Sequence, residues 1–148
     1  MILNIWAHKW GISQEALNDL KQQIGLSAPS VVPTVGVEEN ESTVQARVRL
    51  EASGKGIRLW RNNVGVLRDE RGVPVRYGLC NDSKKLNDSI KSSDLIGIRP
   101  NGVFVAREIK APGWKYAGTP REAAQLKFIN LILSLGGDAA FATGEGTL

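Results

Sequence analysis

Apolar positions recur along the chain in two periods, and the changes of period divide it into elements. Between Ile2 and Ile24 the spacing is helical: Ile5, Trp6 and Trp10 precede a break at Gly11-Ile12-Ser13. Ser13 then stands as an N-cap for a second helix with Leu17, Leu20 and Ile24 on one face. Residues 28–39, with Pro29 and Pro33, have linker composition, which sets off an N-terminal helical segment over 1–27 from a main domain over 40–148. Asn40 is the expected N-cap of a helix running to Gly54, a C′ residue, with Glu41, Val44, Gln45 and Val48 on one face. Short strands follow over Ile57 to Trp60, through Val64, Val66 and Leu67, and over Val73 to Leu79, with Asp69-Glu70-Arg71-Gly72 as a turn. Residues 81–92 are polar and loop-like and carry Lys84, Lys85 and Lys91, either an exposed solvated loop or one that faces a polyanion.

The pattern is most informative over Ser93 to Lys110. Leu95, Ile96 and Ile98 form an apolar run, Pro100-Asn101-Gly102 is a turn signal, and Val103 to Lys110 alternates in period two, which predicts a β-hairpin. On its second strand Val103, Val105, Arg107 and Ile109 take one face, and Phe104, Ala106, Glu108 and Lys110 the other. A three-residue loop with Gly102 left-handed sets Asp94 opposite Glu108, whereas a two-residue loop sets it opposite Arg107. Facing carboxylates need a cation or a shared proton. With Lys110 beside them, Asp94 and Glu108 point to a hard-metal site, oxygen ligands for Mg²⁺ or Mn²⁺ plus one fixed ammonium.

Beyond Lys110, Ala111 to Gly118 has loop composition with Trp114, Lys115 and Tyr116. Trp114 is either an anchor of the loop on the core or an aromatic that stacks on bases. Thr119, Pro120 and Glu122 form a capping box that opens a helix ended by Gly136-Gly137. Ala124, Phe128, Leu131 and Leu135 are its expected buried stripe, and Gln125 lies at the edge of that stripe, within reach of a polar site. Asp138 to Thr143 returns as a small-residue strand.

Composition narrows the function classes. A chain of 148 residues with 42% hydrophobic and 23% charged residues suits one globular domain with a small appendage. No segment approaches the roughly 20 apolar residues of a membrane span, and Met1 to Lys9 lack the form of a secretory signal, so a cytoplasmic location is expected. Cys80 is the only cysteine, which leaves no intramolecular disulfide or cysteine-based zinc cage and makes it an expected packed bystander; His8, with no second histidine at ligand spacing, is an expected surface residue. Residues 1–40 carry two basic against four acidic side chains and the remainder 17 against 11. A basic domain around a carboxylate site fits a polyanionic substrate, although a solvated basic surface has the same composition. The acidic N-terminal segment is a poor phosphate reader despite its helix-turn-helix outline, and packing or dimer contact is its expected use.

Asp94 followed by Glu108-Ile109-Lys110 resembles the PD-(D/E)xK nuclease pattern. Taken with Leu59-Trp60-Arg61-Asn62-Asn63-Val64-Gly65 before it, Gln125 and Phe128 after it and Glu41 at the start of an earlier helix, this ordered set is similar to the VRR-NUC family of virus-type replication and repair nucleases in its small stand-alone phage form. The resemblance covers roughly 40–143. It implies an α/β fold with a restriction-endonuclease-like core, a central mixed β-sheet of four or five strands flanked by helices, carrying a short N-terminal helical appendage. It further implies a Mg²⁺- or Mn²⁺-dependent endodeoxyribonuclease in which Asp94, Glu108 and the backbone carbonyl of Ile109 hold metal, with Glu41 as a further ligand. A first-turn acid such as Glu41 has an alternative use as partner of the helix dipole.

In this reading Lys110 orients the attacking water and Gln125 supports Lys110. Arg61 and Asn62 contact phosphate or sugar, and Lys84, Lys85, Trp114 and Lys115 extend the DNA-facing surface. The expected substrate is branched DNA such as a four-way (Holliday) junction, cut by a homodimer whose contact uses Trp6, Trp10, Leu17 and Leu20. A flap or single-strand nuclease of the same fold, and a non-catalytic DNA-binding module, are the alternatives.

Overall fold

The computed structural model describes residues 2–23, 40–144 and 146–148, and the chain divides into two compact units, Met1–Thr34 and Val35–Leu148. The expected linker over 28–39 and Ile24 lie outside the described residues. In the first unit α1 (Ile2–Lys9) and α2 (Gln14–Gln23) are joined through Gly11, which takes φ 64°. Ser13 Oγ accepts from the Ala16 N–H at 3.2 Å, the expected cap, and Lys21 Nζ donates to Asn4 Oδ1 at 2.8 Å to tie the two helices together. Ala7 and Leu17 are buried, whereas Trp6 and Trp10 are exposed. Leu17 therefore drops out of the expected dimer contact, because its side chain is already covered, and His8 is exposed as expected.

The second unit is mixed α/β. It contains α3 (Glu41–Gly54), β1 (Arg58–Arg61), β2 (Gly65–Arg68), β3 (Pro74–Tyr77), α4 (Lys84–Ser89), β4 (Leu95–Ile98), β5 (Phe104–Ile109), α5 (Pro120–Ser134) and β6 (Asp138–Ala142). The central sheet has four strands in the order β1-β4-β5-β6, antiparallel except for the parallel β5–β6 pair. The remaining strands, β2 and β3, pair only with each other as a separate antiparallel ribbon. On one face of the sheet Val44, Val48 and Ala52 of α3 pack with Leu59, Leu95, Val105, Ile109 and Ala142. On the other, Phe128 and Ile129 of α5 cover Ala106 and Ala139, joined by Ile90, Leu86 and Cys80. Cys80 thus packs at the margin of this core as expected. Among the described residues no helix is long and apolar enough to cross a membrane.

Local chemistry accounts for most element ends. Asn40 caps α3 by accepting from the Thr43 N–H at 3.0 Å, and Thr119 caps α5 with the full reciprocal box to Glu122. Gly54 closes α3 but is not its left-handed residue: Lys55 caps the helix and Gly56, at φ 74°, takes that conformation. Residues 81–92 are not all loop: Ser83 accepts from the Leu86 N–H and starts the six-residue α4, stabilised because Leu86 and Ile90 reach the α5 side of the core. On α5 the expected stripe is rotated. Leu131 and Leu135 are exposed, and the buried face is Glu122, Ala124, Gln125, Phe128 and Ile129.

Gly97 of β4 sits opposite Leu59, and a Cβ there would stand 1.7 Å from the Arg58 carbonyl oxygen. Backbone cannot yield as a side-chain tip can. Gly97→Ala is expected to destabilise the domain by more than about 3 kcal/mol in urea unfolding, at the severe end of overpacking; a cost below about 1 kcal/mol would show that β1 is not held this closely.

Candidate active site

The β4–β5 hairpin closes with the three-residue loop. Arg99 and Val103 pair across it, the Gly102 N–H donates to the Arg99 carbonyl at 2.9 Å, and Gly102 is left-handed at φ 86°. From the register Leu95↔Arg107, one step further sets Asp94 opposite Glu108, both on the sheet face toward α5. The two-residue alternative is not realised. Arg107 instead lies on the α3 side, 3% exposed, with its guanidinium 2.9 Å from Asp138.

β5 is buried from Val105 to Ile109, which takes Glu108 and its neighbour Lys110 into the domain. Glu108 is 3% exposed and Lys110 9%. Gln125, also 3% exposed, sits between them: its amide N–H donates to Glu108 Oε1, and its Oε1 accepts from Lys110 Nζ at 3.0 Å. The Lys110 ammonium stands 3.7 Å from Glu108 Oε1. Its remaining surroundings are aromatic, with Nζ 5.6 Å from the Trp114 ring and 6.0 Å from that of Phe141. Asp94, half-buried, accepts the Ile109 N–H at 2.9 Å, which fixes its carboxylate across the strand from Glu108. Burial, reinforced by the charge of Asp94 and only partly offset by Lys110 and Arg121, pushes the Glu108 carboxyl up to about 8. Glu108 thus holds its proton at neutral pH chiefly because it is buried, with Asp94 facing it.

This cluster opens to solvent through two clefts that share Asn62, Val64 and Asp94. One, of about 240 Å³, also takes in Glu108, Gln125, Lys91 and Arg121; the other, of about 440 Å³, takes in Gln45, Arg61 and Tyr77. Asn62, expected as a phosphate or sugar contact, lines both clefts and also holds the chain beside Asp94. Its amide donates to Ser92 Oγ at 2.8 Å and to the Ser93 carbonyl at 2.9 Å, and its N–H donates to the Asp94 carbonyl at 2.8 Å, so it locks the segment that presents Asp94. Arg61 is exposed on the rim of the larger cleft.

The other expected residues are less well gathered. Glu41 is exposed on the first turn of α3, and among the described residues no three His, Cys, Asp or Glu side chains form a group able to hold a metal, so Glu41 does not make a triplet with Asp94 and Glu108. Lys84 and Lys85 line a separate surface depression, where Lys84 is paired to Asp88 at 2.6 Å. Trp114 takes the anchoring alternative: its indole N–H donates to Glu122 at 3.0 Å and its ring packs, tilted by 41°, against Phe141 at 4.6 Å between centroids. Lys115 is exposed beside it.

Arg121 is the residue the sequence reading passed over. It stands four positions before Gln125 on α5, so the helical spacing that singles out Gln125 also carries Arg121 to the same side. No family model matches the chain, and neither the curated proteins nor the solved structures include a significant match to it.

Proposed function

We propose that the protein is a metal-dependent DNA endonuclease of the PD-(D/E)xK type, selective for branched DNA such as four-way junctions and working as a homodimer. The observation that carries the reading is the buried Glu108, held by Gln125 beside Lys110 and facing Asp94 at the floor of a cleft. The donor set fits a hard divalent cation, since Asp94, Glu108 and the Ile109 carbonyl offer oxygen alone and the two carboxylates face each other across the hairpin. When bound, Mg²⁺ or Mn²⁺ would supply charge against the scissile phosphate and a water of lowered pKa.

The chain's own groups divide the remaining work. Lys110 is pinned by Gln125 and its aromatic neighbours, so its ammonium is preorganised to orient the attacking water and to balance charge that develops on the phosphate. Gln125 is a positioning residue for both Lys110 and Glu108. Arg61, Lys91 and Arg121, on the two cleft walls, suit the phosphates on either side. Four-way junctions require two symmetric cuts and each chain holds one site, which favours a two-fold dimer. Trp6 and Trp10, with Ile5 and Ile12, are exposed apolar side chains of the N-terminal unit that suit such a contact.

The test sets junction, flap, single-stranded and plain duplex DNA side by side with Mg²⁺ and with EDTA. Cleavage only with Mg²⁺ and fastest on the junction is expected. A faster flap or single strand would keep the chemistry and move the substrate, whereas tight binding with no cleavage of any of the four would leave a DNA-binding module. Mixed dimers of wild-type and Lys110→Ala chains should nick junctions singly in place of paired cuts.

A further inference from the structure

We infer that the β2–β3 ribbon is a base-binding arm that receives unpaired bases beside the cleft; this rests on the DNA-nuclease reading and names the part that would distinguish branched from plain DNA. A two-stranded ribbon outside any larger sheet is marginal in water. This one is nevertheless fastened at both ends. At its base the buried Asn81 donates its amide to the carbonyls of Gly65 and Tyr77, at 2.8 and 2.9 Å, and accepts from Arg76 at 2.7 Å. At its tip Asp69 Oδ1 accepts the N–H groups of Arg71 and Val73, both at 2.9 Å, and Arg68 donates to the Gly72 carbonyl at 2.7 Å.

This fastening holds out an apolar surface that the domain does not use. The register Gly65↔Tyr77 and Leu67↔Val75 puts Leu67, Val75 and Tyr77 on one face, exposed by 65%, 51% and 43%. Gly65 lacks the Cβ that would stand 2.4 Å from the Tyr77 hydroxyl, so the tyrosine ring lies across the ribbon and flattens that face. An exposed apolar surface of this kind is an interaction site. Leu67 and Val75 offer neither donors nor acceptors, so they cannot read base edges by hydrogen bonds, and with the Tyr77 ring beside them the face suits the flat faces of bases freed from a duplex.

Continuity and charge select nucleic acid as the occupant. Tyr77, Asn63 and Val64 at the root of the ribbon also line the cleft with Asp94 and Arg61, so the apolar face adjoins the cleft through Tyr77. The ribbon carries Arg68, Arg71 and Arg76 against Asp69 and Glu70, a small basic excess in which Arg71 and Asp69 pair with each other at the tip and Arg68 and Arg76 also hold the ribbon's own oxygens. A rigid arm also loses little conformational freedom when it inserts.

The test uses the full-length protein in Ca²⁺, so that binding is read apart from cleavage, with fluorescent four-way junction, single-stranded and blunt duplex DNA. Leu67→Ser/Val75→Ser is expected to weaken binding of junction and single strand roughly tenfold, the effect of losing apolar side chains buried against the bases, while duplex affinity stays within about twofold and the thermal midpoint within about 3 °C. Equal losses on all three DNAs, or none, would overturn the inference. So would a fall of the variant to a smaller species in sedimentation, which would make the ribbon a contact between copies. If Mg²⁺ supports no cleavage yet the branched-to-duplex ratio still collapses, the nuclease reading fails and the arm stands.

Discussion

Lys110→Met is expected to lower the single-turnover rate of junction cleavage in Mg²⁺ by about 10²–10³-fold, the range for removing one preorganised charge-stabilising group, with DNA affinity nearly unchanged. Methionine keeps an unbranched stem between Trp114 and Phe141 and removes only the ammonium. Both variants leave Gln125 Oε1 without its buried partner, and Lys110→Ala should show the same rate loss with a further stability cost of about 1–3 kcal/mol, since it also removes the packing of the stem. Asp94→Asn and Glu108→Gln should abolish Mg²⁺-dependent cleavage as well. Glu108→Gln is the sharpest of the set, because an amide fills the same buried volume and only the ability to carry negative charge is lost. A clean preparation of Glu108→Gln that still cuts at the wild-type rate would remove Glu108 from the mechanism, whatever its surroundings.

The hairpin that carries this site was legible because its register depends on one local decision. Gly102 accepts the left-handed conformation of a three-residue loop, and every pairing from Arg99↔Val103 to Asp94↔Glu108 follows from it. Caps at Asn40 and Thr119 were legible for the same reason, being contacts within three residues. Contacts set by packing were harder to read. Gln125 was placed at the edge of the α5 stripe, because apolar counting favours Leu131 and Leu135; in the fold it is nearly fully buried, since its partners Glu108 and Lys110 come from a strand 15 or more positions away. Short α4 was missed because it offers only Leu86 and Ile90 to the core, too few to establish a period. Nothing in the alternation of β2 and β3 announces that they leave the central sheet. The bonds from Asn62 to Ser92 and Ser93 span 30 residues of sequence, a distance over which local pattern is silent.

The burial of Glu108 also gives the protein an unusual pH dependence. Its carboxyl titrates near 4.5 in the unfolded chain and at about 8 in the fold, so between these values the folded state holds the proton and the unfolded chain does not. Stability of the metal-free protein therefore falls as pH rises through this window, by about 1.4 kcal/mol per unit and about 3–4 kcal/mol from pH 5 to pH 8. Other carboxyls act elsewhere: Glu51, lowered by its hydrogen bond from Lys55, and Asp88, lowered by that from Lys84, weaken the fold only as pH drops below the usual carboxylate range. Cys80, raised by burial, titrates above the window. Thermal unfolding in EDTA should thus show a midpoint that declines from pH 5 to pH 8 in the wild type and stays nearly flat in Glu108→Gln. A divalent cation reverses the penalty, since it binds the ionised carboxyl and competes with the proton. Mn²⁺ at 100 times its dissociation constant should stabilise the wild type by about 2.7 kcal/mol at pH 8, much less at pH 5, and Glu108→Gln hardly at all. An equal decline in wild type and Glu108→Gln would show that Glu108 does not carry its proton across this range. A decline confined to the wild type, with no response to Mn²⁺ at pH 8, would leave Glu108 as a buried acid with no cation to receive and would take the metal out of the proposed chemistry.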